Sequence, residues 1–234
     1  MTHSYRLCAF VALLCSGSSL IAAPERSAFP EPPVPDEIAS AGEVYHALHD
    51  REAQVVFSSE TPFENIVGKS NSVVGYVVAG PREHPADLAG AHWILPVESL
   101  ATGIPLRDHH IAGGDWLDAE DYPTIEFVLD RVEEVELVKR GDGFSTWAVT
   151  LVGTMNMHGK SREMRVPETR LSFLKGSEKT ASIAPGDLVF MKSTYSVKLS
   201  DYGISNADVP DKVADQIKLN QTLRMTSELL EKTP

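Results

Sequence analysis

The 234-residue chain has few cysteines, little basic charge and no long hydrophobic run. Its two cysteines, Cys8 and Cys15, both lie within the first 22 residues. Without that segment the chain holds no thiol, which excludes a cysteine nucleophile, an iron–sulfur cluster and a cysteine zinc site. Lys and Arg number 21 against 33 Asp and Glu, for a net charge of −12. This balance argues against nucleic-acid binding and against docking on an anionic membrane through a basic patch.

The first 22 residues have the pattern of a secretory signal peptide. A weakly basic start is followed by an apolar run from Leu7 to Leu14 and then by small residues. The run is too short to cross a membrane, which takes about 20 residues, so no stable membrane insertion is expected. We predict cleavage after Ala22, which leaves a chain of net charge −13 because Arg6 is removed. The alternatives are a buried N-terminal helix and a lipid-modified Cys15, although Leu14 stands where a lipoprotein signal has a small residue.

Proline dominates the next segment, which we interpret as a linker over residues 23–41. Because proline lacks the backbone donor and fixes φ, this segment is expected to be extended and to stay outside a sheet. It would tether the domain that follows. That domain is predicted over residues 42–227, followed by a tail at 228–234. The prolines concerned are Pro24, Pro30, Pro32, Pro33 and Pro35.

From about Gly42 the hydrophobic pattern repeats every second residue, which is typical of strands with one covered face. Glycine- and proline-rich turns separate the runs, and residues 141–143 indicate a hairpin. Residues 100–111 have room for one or two short helical turns. A sandwich or a barrel would fit, and the long strands favour a roughly eight-stranded antiparallel barrel, an all-β fold. The predicted strands are 43–46, 53–59, 71–78, 90–96, 124–138, 146–157, 162–173, 188–198 and 216–225.

The motifs of several enzyme classes are missing. No serine has a Gly-x-Ser-x-Gly elbow, and no glycine-rich phosphate or dinucleotide loop occurs. His109 and His110 are adjacent and His158 is distant in sequence, which disfavours a metal site because metal ligands must converge on one point. We therefore predict no catalytic residues, no metal and no resident cofactor.

Large apolar residues occupy the inward positions of the predicted strands. They either fill a core or line a hollow interior that accepts an apolar ligand, and periodicity does not separate the two. The candidate ligand-binding residues are Phe57, Tyr76, Trp93, Ile111, Trp116, Ile125, Phe127, Trp147, Val149, Leu151, Phe173, Phe190, Tyr195, Leu219 and Leu223.

Four segments in order, at 100–111, 116–127, 153–159 and 198–204, resemble those of the YceI-like, polyisoprenoid-binding family. They contain a Thr-Gly followed by Arg-Asp and His, a Tyr-Pro-x-Ile-x-Phe run, a Gly-x-Met-x-x-x-Gly run and an Asp-Tyr-Gly-Ile run. The resemblance covers about residues 42–227. The motif residues are Thr102, Gly103, Arg107, Asp108, His110, Tyr122, Pro123, Gly159, Asp201 and Gly203.

The resemblance implies a lipocalin-like barrel in a bacterial periplasm that binds a long apolar lipid: a polyisoprenoid, a quinone-like lipid or a fatty amide. It brings no catalytic residues, and it leaves a homodimer open. Many members carry an arginine where this chain has Leu199, beside Lys198, so recognition of a polar head group is left open.

The motif residues also have physical roles of their own. Arg107 and Asp108 can hold a loop across a barrel end, and Asp108 can cap a short helical turn. Pro123 suits the start of a strand, and Gly159 and Gly203 suit turns. Two other functions stay open: an interaction or stress-related module with a packed core, and an enzyme using Arg107, Asp108, His110 and His158. A continuous apolar cavity would favour the lipid carrier.

Overall fold

The computed structural model describes residues 29–49, 52–81 and 83–228. The predicted signal peptide at 1–22 and the end of the predicted tail lie outside these residues. The described helices are α1 (Asp36–Ala39) and α2 (Pro105–Ala112), with 3-10 turns at Pro85–Asp87, Val97–Ser99 and Leu199–Tyr202. The strands are β1 (Glu43–Ala47), β2 (Val55–Glu60), β3 (Asn65–Ser70), β4 (Val74–Ala79), β5 (Leu88–Pro96), β6 (Thr124–Gly141), β7 (Phe144–Met157), β8 (Lys160–Leu174), β9 (Leu188–Lys198) and β10 (Gln216–Thr226).

The strands form one antiparallel sheet that closes on itself. From β4 to β10 each strand pairs with the next along the chain, and β1 bridges the ring by pairing with both β4 and β10. Strand β2 pairs with β10 beyond the end of β1, and β3 pairs with β2. Two of the eight positions in the barrel are therefore each made of two short strands. The predicted eight-stranded antiparallel barrel with little helix is confirmed.

Strand β3 is the one strand in the described chain that the sequence pattern did not predict. Its inward positions are Ile66, Gly68 and Ser70, so only one of them carries a large apolar side chain. Gly68 faces Phe57 on β2, and a Cβ at Gly68 would lie 2.2 Å from that ring. The strand has a glycine at this inward position because the Phe57 ring occupies the space that a side chain at residue 68 would need. The predicted turn at 141–143 does connect a hairpin, between β6 and β7.

The interior of the barrel is divided into a packed half and a hollow half. The packed half lies towards the β6–β7 hairpin and includes Tyr45, Phe173 and Leu223, all at most 1% exposed. Trp147 closes this end, with the His84 ring edge-on at 4.3 Å between centroids and the Arg140 guanidinium 5.4 Å from its ring. The hollow half lies at the opposite end, under α2.

Residues 29–41 of the predicted linker lie against the outer face of the barrel. Glu31 Oε1 is 2.9 Å from Nδ1 of His46, and Pro32 is buried. Ile38 lies over Gly90, where an added Cβ would be 3.1 Å from its Cγ2. The described part of the proline-rich segment thus lies against the outside of β1 and β5, the two strands that flank β4.

Candidate functional site

The hollow half of the barrel contains an apolar cavity of about 400 Å³, which we call the outer chamber. This volume falls within the usual range for small-molecule sites. Its walls come from β2, β3, β5, β6, β7, β9 and β10, its cover from α2 and residues 116–117, and its rim from residues 204–213. Ile104 and Leu106, which line it, are 48% and 66% exposed and mark the place where it meets solvent.

A smaller space of about 70 Å³, the inner chamber, continues the outer chamber towards the middle of the barrel. The two chambers share wall residues, so they lie next to each other along the barrel axis. The inner chamber ends at Leu151, Val166 and Met191, where the packed half begins. The shared residues are Val55, Leu95, Ile125, Met157, Val197 and Leu219.

The structure brings most of the sequence-predicted ligand-binding residues to this cavity. The outer chamber also includes Arg107 and His110 from the motif loop. The predicted residues that line one chamber or both are Phe57, Trp93, Ile111, Trp116, Ile125, Phe127, Leu151, Tyr195 and Leu219.

Six predicted residues lie elsewhere. Trp147, Val149, Phe173 and Leu223 point inward but belong to the packed half. Phe190 points outward, since its neighbours on β9 face the interior, and it packs against the cluster that contains Leu188 and Ala184. A period of two identifies the inward residues only where one face of the strand is covered. It does not predict how far along the barrel axis a residue lies.

Tyr76 points to the outside of the barrel rather than into the cavity. Its neighbours Val77 and Ala79 belong to the interior core, so Tyr76 faces the other way, although it is only 3% exposed. It pairs with His46 on β1 and with His92 on β5, and its ring meets that of His92 edge-on. Strand β4 is buried on both faces, and residues 29–41 contact its two neighbours on the outer side, at His46 of β1 and Gly90 of β5.

Helix α2 is fastened over the outer chamber by two motif residues. The Asp108 carboxylate accepts from the backbone N–H of Thr102 at 2.7 Å and from its hydroxyl at 2.5 Å. These bonds hold the pKa of Asp108 below its usual range. Arg107 Nη2 donates to Oε1 of Glu64 at 2.5 Å and ties the helix to the β2–β3 turn. The loop is held across the barrel end as predicted, but Asp108 does not cap the helix, which begins after Ile104.

The other motif residues join three segments beside the hollow end. The Tyr122 ring lies against Gly159, where an added Cβ would be 2.6 Å away, and His158 Nδ1 is 3.1 Å from the Tyr202 carbonyl. The Asp201 carbonyl accepts from Arg162 at 3.1 Å. Gly159 and Gly203 have φ of 68° and 72°, as their predicted turn roles require, and exposed Pro123 directly precedes β6. These residues hold the frame of the cavity and do not line it.

The rim of the outer chamber carries two ion pairs. Glu64 with Arg107 forms the first, and Lys212 Nζ donates to Oδ1 of Asp208 at 2.8 Å in the second. Leu199, which stands where many members of the resembled family have an arginine, lines the chamber and is 7% exposed. The wall at that position is therefore apolar, and the charges at the rim are already paired.

Among the inner-chamber residues that sequence reasoning missed, two were missed because they are polar residues at inward positions. Ser193 and Gln221 are paired across β9 and β10, at inward positions between apolar neighbours. A polar residue at an inward position of an otherwise apolar strand was the available signal. Tyr195 Oη donates to Oε1 of Gln221 at 3.4 Å, and burial raises the pKa of the Tyr195 phenol, which stays neutral.

The four residues considered for catalysis do not converge. Arg107 and His110 line the outer chamber, Asp108 turns back to Thr102, and His158 binds the Tyr202 carbonyl outside the cavity. In the described part of the chain, no three His, Cys, Asp or Glu side chains are grouped so as to hold a metal ion. No helix among the described residues is long and apolar enough to span a membrane.

A family model for the YceI-like domain matches residues 47–225. The chain belongs to the YceI-like family. The matched residues contain every wall strand of the cavity, so the motifs that carried the resemblance and the cavity lie in the same domain. None of the curated protein sequences compared with the chain matches it.

Several solved structures share the fold. Burkholderia cenocepacia BcnA is 18% identical with a TM-score of 0.55, over 74% of this chain and 95% of BcnA. A polyisoprenoid-binding domain from Saccharophagus degradans, implicated in plant cell wall breakdown, is 13% identical with a TM-score of 0.53, over 79% and 98% of the chains. A Campylobacter jejuni YceI protein is 17% identical with a TM-score of 0.51, over 70% and 86%.

Proposed function

We propose that this YceI-like protein is exported to the periplasm, where it sequesters or carries a long apolar lipid of the polyisoprenoid, quinone-like or fatty amide class. The observation that carries the proposal is the apolar outer chamber of about 400 Å³, which opens at Leu106 and adjoins the inner chamber in the middle of the barrel. Burial of a lipid tail there would contribute about 0.8 kcal/mol per CH₂, before the cost of ordering the chain.

Two further observations support the proposal. A structural neighbour from Saccharophagus degradans is described as a polyisoprenoid-binding domain. The first 22 residues have the signal-peptide pattern that export requires. The family and its neighbours suggest binding rather than catalysis, and the residues considered for catalysis do not converge. The packed half of the barrel supports the fold, while the hollow half would hold the ligand.

The direct test is mass spectrometry of the organic extract from gently purified protein. We expect a co-purified lipid with a long apolar tail in near-stoichiometric amount. Leu219→Trp places a larger side chain in the cavity and should remove most of the co-purified lipid. Val138→Trp is the matched control, because Val138 lies on the outer surface of β6 and is 48% exposed. A wild-type protein without extractable lipid, or equal lipid in both variants, would contradict the proposed function.

Export is tested separately by fractionation. The protein expressed with residues 1–22 should appear in the periplasmic fraction. Its mass should be that of a chain that begins at Ala23. Deletion of residues 1–22 should leave it in the cytoplasm. Retention of the uncleaved chain in the cytoplasm would contradict export without bearing on lipid binding.

A further inference from the structure

Large apolar side chains are exposed on the two segments that meet at the mouth of the outer chamber, the β2–β3 hairpin and the start of α2. Seven such side chains are exposed among the described residues, and four of them belong to these segments. A domain rarely exposes several in one region, and such regions mark sites that contact another molecule or a membrane. The four are Phe63 at 79% exposure, Val67 at 58%, Ile104 at 48% and Leu106 at 66%.

An ion pair places three of these side chains side by side. Arg107 Nη2 donates to Oε1 of Glu64 at 2.5 Å and so joins α2 to the β2–β3 turn. The residues that directly precede this pair in the chain are Phe63 and Leu106. Ile104 and Leu106 also line the outer chamber, so they contact both the chamber and solvent. We call Phe63, Ile104 and Leu106 the mouth patch.

The exposure of Phe63 is fixed by a hydrogen-bonded turn. The Thr61 N–H donates to the Glu64 carbonyl at 3.0 Å. The Thr61 hydroxyl oxygen accepts from the backbone N–H of Glu64 at 3.0 Å and from that of Phe63 at 3.3 Å. Ordered structure therefore holds an apolar ring in water, which is unfavourable unless another apolar surface covers it.

The position of the mouth patch favours a lipid surface as the partner that covers it. The apolar ligand of the proposed function must pass this mouth to reach the outer chamber. A bilayer in contact with Ile104 and Leu106 would be continuous with the chamber, because both residues line it. The ligand would then move between bilayer and chamber without exposing its tail to water, the step that the hydrophobic effect opposes.

The charges near the patch favour a zwitterionic bilayer. Each of the two ion pairs at the rim, Glu64 with Arg107 and Asp208 with Lys212, has no net charge. The whole chain has a net charge of −12, so an anionic bilayer would repel it. Apolar side chains enter the boundary of a zwitterionic bilayer without needing attraction between opposite charges.

We propose that the mouth patch docks reversibly on a zwitterionic lipid bilayer and that the apolar ligand enters and leaves the outer chamber directly from that bilayer. This inference rests on the proposed lipid-binding function and adds the membrane surface as the partner of the same site. The contact is shallow, because it consists of three side chains beside a helix of eight residues.

Flotation with lipid vesicles tests the docking. The protein without residues 1–22 is mixed with phosphatidylcholine vesicles, and the floating fraction is measured. We expect Leu106→Asp and Phe63→Asp each to lower the partition coefficient about tenfold, because burial of one Leu or Phe side chain contributes at least that factor. Leu137→Asp is the matched control and should float as the wild type does. Leu137 is 43% exposed and pairs with Trp147 at the packed end of the barrel.

Vesicle charge provides a second measurement. Vesicles that also contain phosphatidylglycerol should bind the wild-type protein no more tightly at low salt, where the interaction between charges is strongest. Tighter binding to these vesicles would overturn the choice of a zwitterionic surface.

Lipid uptake tests whether docking delivers the ligand. Geranylgeraniol is the probe, offered either in phosphatidylcholine vesicles or by dilution from ethanol. Phe63 is not among the wall residues of either chamber, so Phe63→Asp should bind the probe from ethanol with unchanged affinity. The same variant should extract the probe from vesicles more slowly than the wild type, in proportion to its weaker docking. Equal rates of extraction would overturn direct entry from the bilayer.

The remaining outcomes separate the two proposals. A wild-type protein that does not float, or patch variants that float as well as Leu137→Asp, would overturn membrane docking and leave lipid binding intact. A wild-type dimer that Leu106→Asp dissociates in sedimentation velocity would show that a second copy covers the patch, which also overturns docking. A wild-type protein that takes up no geranylgeraniol from ethanol, yet floats through the patch, would overturn the proposed function and support docking alone.

Discussion

The Asp108 carboxylate accepts both hydrogen bonds that Thr102 can donate, from the backbone at 2.7 Å and from the hydroxyl at 2.5 Å. The two residues enclose Gly103, whose φ of 80° turns the chain into α2. With the Arg107–Glu64 ion pair, this contact decides how α2 covers the outer chamber. A motif first recognised by resemblance therefore has a physical role as the fastening of the cavity cover.

The Asp108–Thr102 contact predicts a pH dependence. The pKa of Asp108 is lowered by the hydrogen bonds from Thr102, so the contact stabilises the cover above the ordinary Asp pKa and is lost as pH falls through the lowered value. The protection factors of the α2 amides, which correct for the pH dependence of intrinsic exchange, should be constant from pH 7 to about pH 5 and should fall only in stronger acid. Asp108→Asn should exchange faster at neutral pH and lose this acid step. Asp115→Asn, outside the contact, is the control, and an unchanged acid step in Asp108→Asn would contradict the assignment.

The sequence pattern predicted most of the fold because alternation reports which residues share a face. The bounds of β9 agree at both ends with those predicted. The sequence pattern gave no prediction or a wrong one where alternation does not distinguish the two faces of a strand. Strand β3 has glycine and serine at inward positions, so it shows no apolar alternation. Strand β4 is buried on both faces, so outward-facing Tyr76 is as hydrophobic as an inward residue and was predicted to face the cavity.

The candidate site could be predicted only in outline. Trp147 and Trp93 have the same alternation, yet one closes the packed end and the other lines the inner chamber. Their heights along the barrel depend on strand stagger, which periodicity does not contain. Ser193 and Gln221 were visible in the sequence as polar interruptions of two apolar strand faces.

We predict a large loss of stability on substitution of Gln54, a residue that belongs to none of the sequence motifs. It is 2% exposed; its amide nitrogen donates to the carbonyls of Leu48 at 2.8 Å and Val73 at 3.2 Å, and its oxygen accepts from the Val73 N–H at 2.8 Å. These bonds link the end of β1, at Leu48, and the start of β2, at Gln54, to the start of β4, at Val73. Gln54→Met should lower the free energy of unfolding by about 1–3 kcal/mol for each partner left buried and unpaired. Denaturant titration measures this, with exposed Gln216→Met as control; equal stability of the two variants would contradict it.

The N-terminal segment is predicted to stabilise the barrel from outside. Ile38 lies over Gly90, and the outer face of β4 beneath the segment includes Val78 at 0% exposure. Ile38→Asp should lower the free energy of unfolding by about 1–2 kcal/mol through lost apolar burial and should make residues 29–41 more sensitive to protease. Exposed Glu37→Gln on the same helix is the control. If protease cuts the two variants at equal rates, the segment does not depend on this contact.

The divided interior predicts that two leucines on one strand differ in their effect on stability. Leu223 is 0% exposed in the packed half, whereas Leu219, two inward positions further towards α2, lines the cavity. Leu223→Ala opens a new void and should cost about 2–5 kcal/mol. Leu219→Ala only enlarges an existing space, so it should cost less and should alter lipid content instead. Denaturant unfolding of both variants, with and without bound lipid, measures the difference. Because both residues are leucines on β10 that face the same interior, equal costs without lipid would show that the hollow half is packed in solution.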